Sequence, residues 1–409
     1  MATVDFTNLS AALTKVIRPA VESQMYERAP VWQLVGGWSA EEQVAKKANV
    51  NVSRMDFQNN EFYIPIRTSY HSGYAAIGVG ANYNYGKTTM NETKQSFRTL
   101  VSSFTIPKQV LKVGDAGAVV KPLVFYSQTL AYDLAMQANR QAYQDGSGVV
   151  ANTNAAGTLT TNVVLKPSTN DDIDYARYLP VGARIKIGTN SVTKVAAQTG
   201  KNQITIEDAQ SWAAGDNIYL VDGDGNAVSE IDGFESMVKS SGIYQNLNAS
   251  SAYVWASPTD ETAETINKSN INDKIHALFL RANSIGKVDY IVMNATAYRT
   301  YGNSLVDKVR FTPKEVLTGG WIGLAYDGGN ATILLDYDCP DDIILGLSSQ
   351  DLVFGQAWGL EFEKGTEGTL LKINQKLDYE VTASWAGNFA TLARGAHFAL
   401  RNKTFNPTA

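Results

Sequence analysis

The chain has 409 residues, 44% of them hydrophobic and 18% charged, with a formal net charge of −5 and one cysteine. That length allows about two or three domains, each with a core of its own. The negative balance argues against a general polyphosphate or DNA binder, which needs clustered Lys and Arg. A lone Cys339 excludes an internal disulfide and fits synthesis in a reducing cytoplasm. No apolar run of about 18 residues marks a membrane span, and the opening MATVDFTNLS lacks the basic-then-apolar order of a signal peptide.

Residues 5–35 read as helix, capped by Asn8 or Ser10, with Leu13, Val16, Ile17, Ala20, Val21 and Met25 on one face and a bend at Pro19. This helix either packs on its own domain or reaches a neighbouring subunit. NEFYIPIRT at 60–68 is a strand, and Thr99 to Val113 alternates as a second one, with Leu100, Ser102, Phe104 and Ile106 on one face. Between them lie about 30 residues rich in Gly, Asn, Thr and Tyr (Tyr70, Tyr74, Tyr83, Tyr85), which suggest a projecting hairpin with a contact surface.

The longest helical stretch is 119–145. Pro122 suits its first turn, Gly146 its C′ position, and Val120, Leu123, Ser127, Leu130, Leu134, Ala138 and Ala142 form one stripe. Roughly 24 residues at about 1.5 Å each make a rod of roughly 36 Å. GSGVVANTNAAG at 146–157 then reads as a flexible boundary. Residues 158–233 hold short strands at 181–188, 191–200, 202–208 and 215–225, a spacing that indicates a small all-β barrel or sandwich inserted in a larger fold.

A helix start stands at ESMVKSS. Ile271, Ile275, Leu278, Ala282 and Ile285 mark a helix that Asn270 or Asn272 could cap and Gly286 could end. A strand at 288–294, a short helix at 295–305 and buried strands at 331–354, broken at Pro340, follow. Residues 369–402 suggest a long strand, a turn near Gly387 and a final apolar strand.

No constellation for catalysis emerges. His71, His276 and His397 stand far apart with no partner at metal-ligand spacing, and nothing basic near Cys339 lowers its thiol pKa. Gly78-Val79-Gly80 lacks the third glycine of a dinucleotide fingerprint. Asp222-Gly223-Asp224-Gly225-Asn226 resembles the start of a calcium loop, but position 12 is Gly233, so a tight turn is the better reading. Turn chemistry explains Asp341-Asp342. The residues thus point to no catalytic, cofactor or metal site, and weigh against an enzyme.

The order of elements resembles that of the major capsid proteins of tailed bacteriophages with the HK97-like fold. An arm is followed by a hairpin, a long helix, INDKIHALFLRANSIGKVDYIVMNATAYRTYGNS at 271–304, NATILLDYDCPDDIILGLSSQDLVF at 330–354 and LDYEVTASWAGNFATLARGAHFALRN at 377–402. The resemblance implies an α+β fold with an N-terminal arm (1–50), a peripheral domain (51–66 and 99–157) carrying the spine helix 119–145, and an E-loop hairpin (67–98). It further implies a β-rich insertion domain (158–233), an axial domain (234–368) and closing strands of the peripheral domain (369–409). It also implies self-assembly as pentamers and hexamers into an icosahedral shell around double-stranded DNA, contacted weakly. Its partners would be a scaffolding protein, a portal and a decoration protein, its setting the virion after assembly in the host cytoplasm, and no membrane or cofactor would take part. Some members of that family cross-link a hairpin lysine to an asparagine; Lys87 and Lys94 are available, but no acceptor can be paired with them from sequence. Because the chain begins at its arm, either an N-terminal segment was removed or a separate scaffold is used.

Three other readings compete. A tail or decoration protein is disfavoured by the long helix and the helix–strand core at 271–304. An enzyme or carbohydrate-binding protein would use aromatic surface, yet Trp32, Trp38, Trp212, Trp255, Trp321, Trp358 and Trp385 are scattered, as burial would leave them. An encapsulin-like compartment would keep the same fold.

Overall fold

The computed structural model describes residues 29–35, 44–47, 50–51, 56–69, 71–73, 79, 82, 85–107, 116–166, 174–251, 255–280, 288–305, 315–316, 322–325, 331–340, 342–363, 371–372 and 378–403. Most of the expected helix 5–35, with Pro19, lies outside them. The chain divides into two units. The first comprises Met1–Phe62, Ser96–Asn139 and Val353–Phe389, the second Tyr63–Gln95, Arg140–Leu352 and Ala390–Ala409. The described helices are α1 (Pro30–Val35), α2 (Ala116–Ala142), α3 (Phe234–Met237), α4 (Lys268–Leu280) and α5 (Ala295–Leu305).

In the first unit, strand Asp378–Thr391 is the centre of a sheet. On one edge it pairs antiparallel with Arg98–Pro107, in a register that runs from Arg98 opposite Gly387 to Pro107 opposite Asp378. Leu352–Phe362 and the short Leu371–Lys372 also pair with it, and Val44–Lys47 and Val50–Asn51 extend the sheet beyond Leu352–Phe362. The expected turn near Gly387 is absent, because the strand runs straight through that residue. The glycine serves close approach instead: a Cβ there would sit 2.5 Å from the Phe354 ring and 2.8 Å from the Gly355 carbonyl oxygen.

Aromatic packing fills the space above this crossing. Trp32 of α1, fully buried, meets Phe354, Trp385 and Phe389 at centroid distances of 5.2, 5.3 and 4.8 Å. Phe354 and Trp385 stack at 5.3 Å. Pairs of this kind add about 0.5–1.5 kcal/mol each beyond their area. The described part of the N-terminal segment therefore packs on its own unit.

Helix α2 begins and ends three residues earlier than the sequence suggests. Pro122 falls in its second turn, not its first, and Gly146 lies beyond its end, although with the left-handed φ of +78°. Helix ends are set by local bonding that residue type only partly dictates. The stripe itself holds where side chains are described, since Leu130, Leu134, Ala138 and Ala142 are buried.

The second unit contains a six-stranded β-module. Its six strands run in the order Val149–Asn152, Asn217–Leu220, Arg184–Ile187, Thr193–Gly200, Gln203–Trp212 and Gly157–Val164. A bridge from Thr153 to Leu165, with Lys166 N–H donating to Asn152 O at 2.7 Å, joins the first strand to the last, so the sheet closes as a small barrel. Its first strand falls inside the stretch expected to be flexible. Val150 and Ala151 are buried there, and the Gly residues around them had masked a short strand. Arg177 and Tyr178, in the 3-10 turn Tyr175–Tyr178, both donate to Asp338 Oδ1, the tyrosine at 2.7 Å. Tyr143 donates to Asp336 Oδ2 at 2.8 Å, so barrel and helix end converge on one acidic turn.

A seven-stranded sheet forms the other half of this unit. Its order is Thr259–Asp260, Phe398–Leu400, Ile344–Leu347, Tyr290–Met293, Thr332–Leu335, Ile322–Ala325 and Glu315–Val316. Ile271 and Leu278 of α4, Ala297 and Tyr301 of α5, and Ile291, Ile333, Ile344 and Phe398 of the sheet share one core. The cap of α4 is Asn267, not Asn270 or Asn272. Asn267 Oδ1 accepts from Asn270 N–H at 3.1 Å and Asn270 Oδ1 accepts in return from Asn267 N–H at 2.9 Å, a reciprocal box that starts the helix earlier. Helix α5 has the expected limits, and Asn294 Oδ1 accepts from Ala297 N–H at 2.8 Å. The closing strands divide between two sheets: Asp378–Thr391 belongs to the first unit's sheet and Phe398–Leu400 to the seven-stranded one.

Between these strands sits Arg394, fully buried. Its guanidinium donates to the carbonyl oxygens of Met237 at 2.9 Å and of Ser236, Ser241 and Gly242 at 3.0 Å each. Burial lowers its pKa to about 10, so the cation persists at neutral pH with carbonyl dipoles as its solvent. Arg394→Met should therefore destabilise the protein by at least about 3 kcal/mol, since unsatisfied buried acceptors cost about 1–3 kcal/mol each. Urea unfolding followed by tryptophan fluorescence checks this, and a variant as stable as the wild type would remove the clamp from the account.

Candidate functional site

Among the described residues no cluster of three or more His, Cys, Asp or Glu could hold a metal ion. The three histidines sit on separate elements: His71 is exposed in the hairpin, His276 is exposed on α4, and His397 is buried beside the strand Phe398–Leu400. Cys339 is a buried free thiol whose Sγ points to the Ile343 carbonyl oxygen at 3.7 Å. Asp222 Oδ1 accepts from the backbone N–H of Asp224 at 3.0 Å and of Asn226 at 2.8 Å, which makes the calcium-like motif a tight turn. These hydrogen bonds lower the carboxyl pKa of Asp222. Arg184 Nη1 donates to the carbonyl oxygens of Asp222 and Gly223 at 3.1 and 2.6 Å, placing a cation on the turn's own oxygens. Trp32, Trp212, Trp255 and Trp385 are buried and Trp358 is half-buried, so they do not build an aromatic binding surface.

Two features remain that spend apolar or hydrogen-bonding capacity on solvent. The first lies in the first unit. Phe125, Tyr126 and Tyr132 of α2 are 63, 47 and 49% exposed, with Thr129 and Asp133 exposed alongside them. Their spacing of 125, 126, 129, 132 and 133 places them on one face, opposite the buried stripe. Partial burial raises the Asp133 carboxyl pKa. Tyr126 stacks on Phe104 of strand Arg98–Pro107 at 5.7 Å, and Val101, on the strand's other face, is exposed. Among the described residues that strand pairs only with Asp378–Thr391, so its second edge presents unpaired N–H and C=O groups. Three exposed rings on one helix face exceed what scattered surface hydrophobics explain.

The second feature is the hairpin of the second unit. Its arms are Glu61–Arg67 and Met90–Ser96, so the return strand starts nine residues before Thr99, where the sequence reading had placed it. The alternating Thr93 and Gln95 are buried within it and carry the extension. Thr93 Oγ1 donates to the Ile64 carbonyl oxygen at 3.0 Å, and Gln95 Nε2 donates to Asp232 Oδ2 at 2.6 Å, which fixes the base. Beyond the paired strands, Thr68 N–H donates to Thr89 O at 2.9 Å and Ser72 N–H to Lys87 O at 3.3 Å. At Gly73 and Gly86 the arms approach so closely that a Cβ on Gly73 would lie 2.2 Å from Gly86 N. Val79, Tyr85 and Met90 are exposed, as are Lys87 and Lys94. Tyr70, Tyr74 and Tyr83 lie outside the described residues.

The hairpin was legible in the sequence through the two strands that enclose a long polar and aromatic stretch. The helix face was not singled out, although two adjacent aromatics and a third about two turns on were a usable signal. No described helix is long and apolar enough to cross a membrane.

No family model and no curated protein matches the chain. Among solved structures it is similar to the cyanophage A-1(L) capsid asymmetric unit, at 12% identity and a TM-score of 0.50, over 92% of this chain and 93% of that one. It is also similar to the capsid of the native GTA particle, at 10% identity and a TM-score of 0.41, over 85% of this chain and 86% of that one. The holo-SrpI encapsulin complex from Synechococcus elongatus PCC 7942 is similar at 8% identity and a TM-score of 0.43, over 93% of this chain and 88% of that one. The cyanophage likeness spans nearly the whole of both chains and shows the fold: this chain has the mixed α and β, HK97-like fold of tailed-phage major capsid proteins.

The exposed rings carry a prediction for the isolated subunit. Replacing Phe125 and Tyr132 together by Ser should change its unfolding free energy by no more than about 0.5 kcal/mol per site, as surface positions do. A loss of several kcal/mol in urea unfolding would show that they belong to the subunit's own core.

Proposed function

We propose that the protein is the structural head protein of a tailed bacteriophage, assembling as pentamers and hexamers into an icosahedral shell around double-stranded DNA. The capsid fold, present along nearly the whole chain, is the observation that carries this reading. In this assignment the helix α2 is the spine of a peripheral domain built on the sheet around Asp378–Thr391. The hairpin is the extended E-loop, the seven-stranded sheet with α4 and α5 is the axial domain, and the barrel is an insertion domain.

Physical features support the reading. A subunit that keeps aromatic rings, a free strand edge and a glycine-narrowed hairpin exposed gains stability when copies cover them. A net charge of −5 suits a shell that holds DNA without gripping it. The shell role makes the virion the site of action and the host cytoplasm the site of assembly, with a scaffolding protein and a portal as partners and a decoration protein as a further one. No catalytic step is assigned to any residue.

Negative-stain microscopy of the full chain, expressed with its scaffolding protein where one is needed, should show closed isometric shells. Deleting residues 74–85 should leave a folded subunit with weak or absent shells, because the buried hairpin base at Thr93 and Gln95 stays in place. Wild-type shell yield from that variant would show that the hairpin is not an assembly element. Shells that carry protein cargo and no DNA in the native source would reassign the protein to a compartment shell.

A further inference from the structure

His397 is fully buried, and its two ring nitrogens make different hydrogen bonds. Nδ1 lies 3.2 Å from Ser348 N, whose N–H it must accept. Nε2 lies 3.0 Å from Thr391 Oγ1. The Thr391 hydroxyl has one proton, which goes to the Asp351 carbonyl oxygen at 3.0 Å, and its oxygen also accepts from Ala393 N–H at 3.2 Å. Nε2 therefore carries the hydrogen and donates to Thr391, while Nδ1 is bare. The neutral Nε2–H tautomer satisfies every partner; a second proton on Nδ1 would face the Ser348 N–H, donor against donor.

The two segments, joined by this ring and by Leu392 N–H donating to the Asp351 carbonyl oxygen at 2.9 Å, are placed where the chain changes units. The turn 348–351 immediately precedes Leu352, after which the chain passes into the first unit, and Thr391 follows Phe389, at which it leaves. The ionisable groups on the segments around the ring are Asp351, Asp289 and Arg394. Asp351 Oδ2 accepts from Ser348 Oγ at 2.9 Å, and Asp289 Oδ2 accepts from Ser349 N–H at 3.1 Å and Ser349 Oγ at 2.6 Å. The Arg394 guanidinium is committed to the carbonyls of Ser236, Met237, Ser241 and Gly242. None of the three takes part in the two hydrogen bonds of the ring nitrogens.

We propose that His397 is an acid-released latch, which holds the turn 348–351 to the strand end at Thr391–Ala393 while its ring is neutral and lets go when the ring is protonated. The latch rests on hydrogen-bond geometry and is independent of the shell assignment.

Burial alone lowers the ring pKa from the ordinary 6.5 to about 3. The closed state thus binds fewer protons than the open one, and closure weakens as pH falls below about 6.5. From pH 7.5 to 4.5 the open-to-closed ratio should rise about 90-fold by this linkage.

Hydrogen exchange of the full-length protein, corrected for intrinsic rates, tests it in peptides covering 344–354 and 388–400. The wild type should show the roughly 90-fold rise in opening, and His397→Gln, whose carboxamide can donate and accept but does not titrate, should stay flat. A flat wild type, or equal rises in both proteins, would overturn the latch, the second by assigning the effect to carboxylates. Should the variant fail to fold, ring nitrogen shifts of the wild type decide: a neutral Nε2–H ring down to pH 4.5 supports the latch, and titration near 6.5 refutes it.

Discussion

The first unit depends on one strand staying continuous for fourteen residues, Asp378–Thr391. Arg98–Pro107, Leu352–Phe362 and Leu371–Lys372 all pair with it, and its Trp385 and Phe389 supply two of the three rings packed on Trp32. Continuity requires Gly387, because Phe354 and the neighbouring backbone occupy the space of any side chain at that point. The strand then feeds the second unit, where Thr391 meets His397 and Arg394 gathers four carbonyls. Aromatic packing thus governs one end of this segment and buried polar bonding the other. The two respond to different conditions, since apolar burial is indifferent to pH and a buried imidazole is not.

The interior and the surface tell complementary stories. Inside, charges are matched with care: Arg140 meets Glu230, Arg177 and Tyr178 meet Asp338, and Lys403 meets Glu264 at 2.9 Å. Outside, α2 leaves three rings in water and Arg98–Pro107 leaves an edge open among the described residues. Pairing these buried charges while exposing rings on one helix face fits the proposed shell, in which other chains would cover the rings. Copies of itself are the partners that the proposed shell supplies.

Sequence reading recovered what local pattern encodes. The limits of α5 match the expected 295–305, and the barrel followed from strands spaced about ten residues apart. It misread Gly387 as a breaker, because a glycine required by a neighbour's ring looks the same in sequence as one required by a turn. It offered Asn270 or Asn272 as the cap of α4, whereas Asn270 is the residue that reaches back to Asn267. Arg394 and His397 carried no signal, since their partners lie at sequence separations of up to 158 residues and are mostly backbone atoms. The exposed face of α2 was half legible: spacing puts Phe125, Tyr126 and Tyr132 on one face, but only the fold shows that this side is exposed.

The central claim is that these uncovered faces are where copies meet. Hydroxyl-radical footprinting of Phe125, Tyr126, Tyr132 and Met90, in the free subunit and in purified particles, addresses it directly. The account predicts ready oxidation of all four in the free subunit and strong protection of the α2 rings in particles. Equal oxidation in both states would contradict it.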